Sequence, residues 1–192
     1  MKNNLEWVLT DHACLMFNIT SVPMHESFDA GSLQFILNHT QLKAMVLASS
    51  HLDALLGFAS SCKSLEHLII VDEIPKDAFK KAKAAGVTLH KFADVVAIGK
   101  EHVQTRVPPT PEDVFTISYT SGTTGNPKGV VVTHRNLVAG GKGLLASMPP
   151  EKVLNETDTH LSFLPLSHAF ERMILHALTY LGAEIGFYRG SI

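Results

Sequence analysis

The chain has 192 residues, 45% of them hydrophobic and 18% charged, with a formal charge of −2 from sixteen basic and eighteen acidic side chains. That composition supports a sizeable core and excludes a disordered chain. The near-balance of charge gives no electrostatic case for nucleic acid or for an anionic membrane surface as partner.

In chain order, Leu5, Val8, Leu9, His12 and Leu15 recur at helical spacing and predict a helix over residues 5–17. A short extended run follows over 19–24. Asp29 is placed to cap a helix over 31–39. Residues 43–49 read as a buried strand, 51–61 as a helix and 67–72 as an apolar strand. Pro75 can open the next helix, with Gly86 just past its end. Residues 87–92 read as a further strand.

Pro108, Pro109 and Pro111 then interrupt the pattern, since proline cannot sit inside a regular element. A linker or exposed loop is expected there, dividing the chain into pieces 1–107 and 112–192. Beyond it, 114–120 and 129–134 read as strands, 135–148 as a glycine-weakened helix and 158–166 as a strand. Residues 167–182 read as a strong helix and 183–188 as a last strand. This alternation predicts an α/β fold with mostly parallel sheets and helices on their faces.

The segment YTSGTTGNPKGV, beginning at Tyr119, concentrates four Ser/Thr hydroxyls, three glycines and one lysine between two strands. Gly122, Gly125 and Gly129 let the backbone turn sharply and approach a ligand closely. Successive backbone N–H groups in such a loop form a concavity for anions. Thr120, Ser121, Thr123 and Thr124 add hydroxyl donors, and Lys128 adds a mobile positive charge suited to phosphate. The pattern differs from the common P-loop because Pro127 separates loop from lysine and a β-run follows instead of a helix. A polyphosphate cradle on a strand–loop–strand unit is the expectation. A plain Gly/Ser/Thr turn is the bland alternative.

Cys14 and Cys62 match no paired spacing and read as two reduced, buried thiols of an intracellular protein. The eleven histidines are scattered and form no metal-binding spacing. No run of about 18 uncharged apolar residues is long enough to span a bilayer. Glu6 and Asp11 within the first apolar stretch argue against a secretory signal.

Residues 119–134 closely resemble the phosphate-loop signature of the adenylate-forming superfamily, which includes acyl-CoA synthetases, firefly luciferase and peptide-synthetase adenylation domains. The run LSFLPLSHAFERM, ending at Met173, resembles that superfamily's next motif in the form typical of long-chain fatty-acid–CoA ligases. Residues 3–41, 111–125 and 181–190 also fit those ligases. Met24 and His25 depart from the family, which usually has Leu-Tyr there.

The resemblance implies a piece of the family's large N-terminal domain, without its start, its ribose-binding acid or its small C-terminal domain with the catalytic lysine. It implies ATP, Mg²⁺ and coenzyme A as the reaction's small molecules and a long-chain fatty acid as the acyl substrate. Thr120 would approach magnesium through ATP. Ser121, Gly122, Thr123, Thr124 and Gly125 would wrap the β- and γ-phosphates. Lys128 would stabilise departing pyrophosphate or order the loop.

His168 would stand near the acyl-adenylate. A lone histidine at a helix start is otherwise a cap or a core residue. Glu171 and Arg172 would lie at the wall of the acyl tunnel, or else form a local ion pair. His176 reads as core. The 192 residues alone are expected to be inactive and prone to self-association, with membrane attachment belonging to a full-length enzyme at endoplasmic reticulum, mitochondrion or peroxisome. Two alternatives stay open: a truncated nucleotide-binding or regulatory module without catalysis, and another adenylate-forming acyl- or aryl-CoA ligase.

Overall fold

The computed structural model describes residues 1–120 and 125–189. The chain packs as two compact units. The first is built on Glu26–Arg106 and also takes in Lys128; the second combines Lys2–His25, Val107–Thr120 and the chain from Gly129 onward. One boundary lies between Arg106 and Val107, and the first helix and the extended run after it lie in the second unit.

In the first unit, strands β1 (Ala44–Leu47), β2 (His67–Ile70) and β3 (Thr88–Lys91) form a parallel sheet in that order. Register pairs Ala44 with His67 and His67 with Thr88. Leu68, Ile70 and Leu89 project to the buried face, the period-two alternation of a strand with one covered side. Helix α2 (Ala30–Thr40) starts where the Asp29 carboxylate accepts the Ser32 N–H at 2.7 Å. It contributes Ile36 and Leu37 to the core. A 3₁₀ turn (Ser49–His51) leads into α3 (Leu52–Ala59), which buries Leu52, Leu55 and Ala59.

Helix α4 (Ala78–Ala84) begins later than expected. Pro75 does not open it; the Pro75 carbonyl instead accepts the Ala78 N–H at 3.0 Å in a preceding turn. Gly86 lies just past the helix end in the left-handed region, with φ of +80°, as its position predicts. Helix α5 (Phe92–Glu101) is absent from the sequence-based expectations. Its start follows β3 directly, with Lys91 at the cap position making no side-chain cap bond. The usual boundary residues are therefore missing, although Phe92, Val95 and Val96 share helical spacing.

In the second unit, α1 (Leu5–Met16) is capped by the Asn4 side chain, which accepts the Trp7 N–H at 2.8 Å. Strands β4 (Val114–Thr120) and β5 (Lys128–Thr133) pair as one sheet. The extended run predicted over 19–24 joins β4 through a parallel bridge between Ser21 and Thr116. Helix α6 (His134–Ala146) opens on a reciprocal cap: the Thr133 hydroxyl accepts the Asn136 N–H, and the Asn136 side chain accepts the Thr133 N–H. Strands β6 (Thr159–Ser162) and β7 (Glu184–Phe187) pair in parallel, and α7 (Ala169–Leu181) connects them. Gly182 ends α7 with φ of +80°. The parallel pairings and interleaved helices are those of the expected α/β class. No helix among the described residues is long and apolar enough to cross a membrane.

Close packing makes two glycines unequal. A Cβ at Gly129 would stand 2.8 Å from Ile117 Cγ2 and 3.1 Å from Tyr119 Cζ, whereas one at Gly143 in α6 meets nothing within 4 Å. Gly129→Ala should therefore lower stability by about 1–3 kcal/mol through overpacking. Gly143→Ala should raise it by about 0.5–1 kcal/mol through helix propensity. Denaturant midpoints of the two variants moving the same way would contradict this packing.

Candidate functional site

The candidate site begins at the end of β4. Phe115 and Thr116 are buried and Tyr119 is nearly so, which anchors the strand in the second unit. Thr120, its last residue, is exposed. Ser121, Gly122, Thr123 and Thr124, the predicted heart of the cradle, lie outside the described residues. Gly125 is exposed with φ of +91°, a backbone state that favours glycine. Lys128 opens β5 and is exposed. Thr120 presents a hydroxyl and Lys128 an ammonium to solvent, each at the end of its own strand.

His168 occupies the cap position of α7, with extended backbone (φ −87°, ψ 136°) and an exposed side chain. Its imidazole makes no capping hydrogen bond. Its backbone N–H donates to the Pro165 carbonyl at 2.9 Å, so the turn, not the ring, holds it in place. The His25 ring lies 4.9 Å away, tilted by 54°. The residue that departs from the resembled pattern thus sits beside the candidate histidine.

Glu171 and Arg172 are 1% and 2% exposed, and each pairs away from the other. The Glu171 carboxylate accepts Ser162 Oγ–H at 2.6 Å through Oε1, which also lies 3.1 Å from His160 Nε2. Its second oxygen, Oε2, is buried without a protein partner. The Ser162 hydroxyl in turn accepts from the Asn3 amide at 2.9 Å.

Arg172 reaches the other way. Its Nη2 bonds Asp11 Oδ1, and its Nε lies 3.3 Å from Asp11 Oδ2. Nη1 donates to Thr116 Oγ1 at 2.9 Å and Nη2 to Ser21 Oγ at 2.9 Å. The guanidinium lies 4.5 Å from the centre of the Phe115 ring and 5.3 Å from that of Trp7. His176 Nε2 is 2.9 Å from Asp11 Oδ2.

Asp11, 4% exposed, and the polar contact of His176 are absent from the sequence-based expectations. A signal exists: Asp11 falls four residues after Trp7 and three before Cys14, inside the apolar spacing of α1. A charge there calls for a buried partner. Burial works to raise the Asp11 pKa, but the His176 hydrogen bond and the Arg172 charge overturn it and hold the carboxyl below its ordinary value. Burial and the neighbouring His176 depress His12, and burial depresses His134. Burial, with Asp11 nearby, pushes the Cys14 thiol up to about 11, which leaves it unreactive near neutrality.

Removing one side of this buried pair strands the other. Arg172→Met and Asp11→Ala should each cost about 3–5 kcal/mol, and the double variant should cost less than the sum. Chemical denaturation followed by Trp7, the single tryptophan, measures all three; additive losses would show that the two residues do not act as a pair. His12 and His134 favour their neutral forms in the fold. They contribute fully above their ordinary value of 6.5, and the contribution is lost as pH falls through their depressed folded values. The denaturation midpoint should fall between about pH 8 and about pH 5; a constant midpoint would rule this out.

Residues 1–192 match the family described as AMP-binding enzyme. The chain is 34% identical over 190 residues to the peroxisomal long chain acyl-CoA synthetase 7 of Arabidopsis thaliana, covering 99% of this chain and 27% of that protein. It is 35% identical to fatty acyl-CoA synthetase B of Dictyostelium discoideum, covering 100% of this chain and 28% of that one. It therefore spans about a quarter of the length of these relatives.

Among solved structures, a long-chain-fatty-acid-CoA ligase from Archaeoglobus fulgidus superposes with a TM-score of 0.73 at 26% identity, over 98% of this chain and 34% of that one. The anthranilate CoA ligase AuaEII, solved with anthranoyl-AMP, gives 0.83 at 19% identity over 100% of this chain and 34% of that one, a likeness of fold. With its whole length matched and the loop-bearing strands in place, the chain belongs to the AMP-binding enzyme family.

Proposed function

We propose that these 192 residues carry the phosphate loop and part of the acyl site of an ATP-dependent long-chain fatty-acid–CoA ligase. The observation that carries this reading is the Gly/Ser/Thr-rich sequence run from Thr120 to Lys128, both of these residues being exposed, in a chain of the AMP-binding enzyme family. The names of the relatives, long chain and fatty acyl-CoA synthetases, support the substrate class.

In the proposed reaction a fatty-acid carboxylate oxygen bonds to the α-phosphorus of ATP as the bond to pyrophosphate breaks, giving an acyl-adenylate. The coenzyme A thiol then takes the acyl group and AMP leaves. The protein's part in the first step is positioning and charge neutralisation. Lys128 supplies a cation to the departing pyrophosphate. Thr120 supplies a hydroxyl, and Ser121, Gly122, Thr123, Thr124 and Gly125 wrap the β- and γ-phosphates. His168 offers an exposed imidazole to the carboxylate or the α-phosphate. Glu171 and Arg172, both buried, shape the acyl side by fixing the first turn of α7 rather than by touching the chain.

The Thr120 hydroxyl, a hard oxygen, fits a magnesium ion carried on the nucleotide. When bound, magnesium neutralises phosphate charge.

Calorimetry with Mg·ATP tests the cradle. Binding by the folded 192-residue chain that is weakened at least about tenfold in both Thr120→Ala and Lys128→Ala is the expected result, since each removes a phosphate contact. A folded chain that binds no Mg·ATP would overturn the assignment for these residues. By themselves they are expected to form no acyl-CoA, because they span about a quarter of the relatives' length; thioester production by the isolated polypeptide would refute that.

The second unit exposes Leu161, Phe163, Phe170, Val130 and Val131. These support self-association of the isolated polypeptide. A monomer at every concentration in sedimentation would count against it.

A further inference from the structure

We propose that Arg172 is a positioning residue: through Thr116 it couples the strand that ends at Thr120 to the helix that follows His168. This rests on the roles given above to Thr120 and His168 and assigns the coupling between them.

Three observations carry it. Arg172 lies in the first turn of α7, and its backbone N–H donates to the His168 carbonyl at 3.3 Å. Thr116 lies four residues before Thr120 on β4, on the same face of the strand. The Arg172 guanidinium donates to Thr116 Oγ1, and the Thr116 hydroxyl donates onward to the Ser21 carbonyl at 2.9 Å. Ser21 closes the ring, because its own hydroxyl accepts from Arg172 Nη2.

The far side of the guanidinium is held by the Asp11 carboxylate and by the Phe115 and Trp7 rings. At 2% exposure the side chain has no surface to offer a substrate. Its planar fork is instead filled by strand, helix and extended run together. Sliding α7 against β4 would leave donors of a buried cation unsatisfied, a heavily penalised state. The hydroxyl proposed for phosphate and the imidazole proposed for the carboxylate are thereby held at a fixed separation, which attack of one bound substrate on another requires.

Amide hydrogen exchange on the 192-residue chain tests this with three variants. Thr116→Val removes the acceptor while keeping the shape, and Thr116→Ser keeps the hydroxyl. Arg172→Lys keeps the charge facing Asp11 but loses the fork, and provides a second route to uncoupling should Thr116→Val fail to fold. Thr116→Val and Arg172→Lys should speed exchange about tenfold or more both at residues 117–120 and at residues 172–175. Thr116→Ser should behave as the unaltered chain, and α2 in the other unit should not change.

Acceleration confined to β4, or equal effects of valine and serine at 116, would overturn the coupling and leave Arg172 a packing residue. Added Mg·ATP should protect Thr120 and, through the ring, the first turn of α7 in the unaltered chain, but β4 alone in Thr116→Val. If the nucleotide protects neither segment of a folded chain, the nucleotide reading falls. The exchange of the free chain still decides the coupling.

Discussion

The buried pairing of Arg172 with Asp11 is the constraint on which the second unit depends. The two residues are 161 positions apart, so the contact closes nearly the whole chain into a loop. Loop-closure entropy grows only slowly with length, so a few strong contacts can sustain such a closure. Taking two charges out of water is far more expensive, and it is repaid only where every donor and acceptor finds a partner. Arg172 comes close to that condition, with four of its five N–H donors bonded to Asp11, Thr116 and Ser21, and Asp11 is bonded by Arg172 and His176. The result fixes α1, β4 and α7 against one another.

Consecutive positions on a helix diverge by about 100°, and α7 uses that divergence. Arg172 points toward α1 and β4, while Glu171 turns toward β6 through Ser162 and His160. Neighbouring residues of one helical turn thereby tie it to three other elements. The unpartnered Glu171 Oε2 shows that this second tie is less completely satisfied than the first. His168, immediately before the helix, inherits its place from both ties while its own ring stays exposed.

Buried polar side chains and exposed ones accordingly divide the work. Thr120, Lys128 and His168 face solvent at the ends of regular elements, where a ligand can reach them. Asp11, Thr116, Glu171 and Arg172 lie beneath, where each bond they make is worth more and each bond lost costs more than at the surface. The close approach at Gly129, against Ile117 and Tyr119, belongs to the same arrangement, because it lets β5 lie tightly on the strand that ends at Thr120.

Local sequence determined much of this protein. The Asp29 cap, the Gly86 stop and the alternating strands are all signals carried by a few adjacent residues, so they were legible in the sequence. Where a boundary lacked such a signal, as at Lys91 before α5 and Pro75 before α4, the sequence was silent or misleading. The family, too, was legible, because residues 119–134 carry a short continuous motif.

The partners of Glu171 and Arg172 were decided only by tertiary structure. As neighbours in a charged pair on one helix they suggested a local ion pair or an acyl wall. Folding brought Asp11 from the start of the chain and Thr116 from its middle to Arg172, and Ser162, itself bonded to Asn3, to Glu171. A local pattern announces that a charge is present; which distant group compensates it when water is removed depends on elements that touch only after the chain has closed.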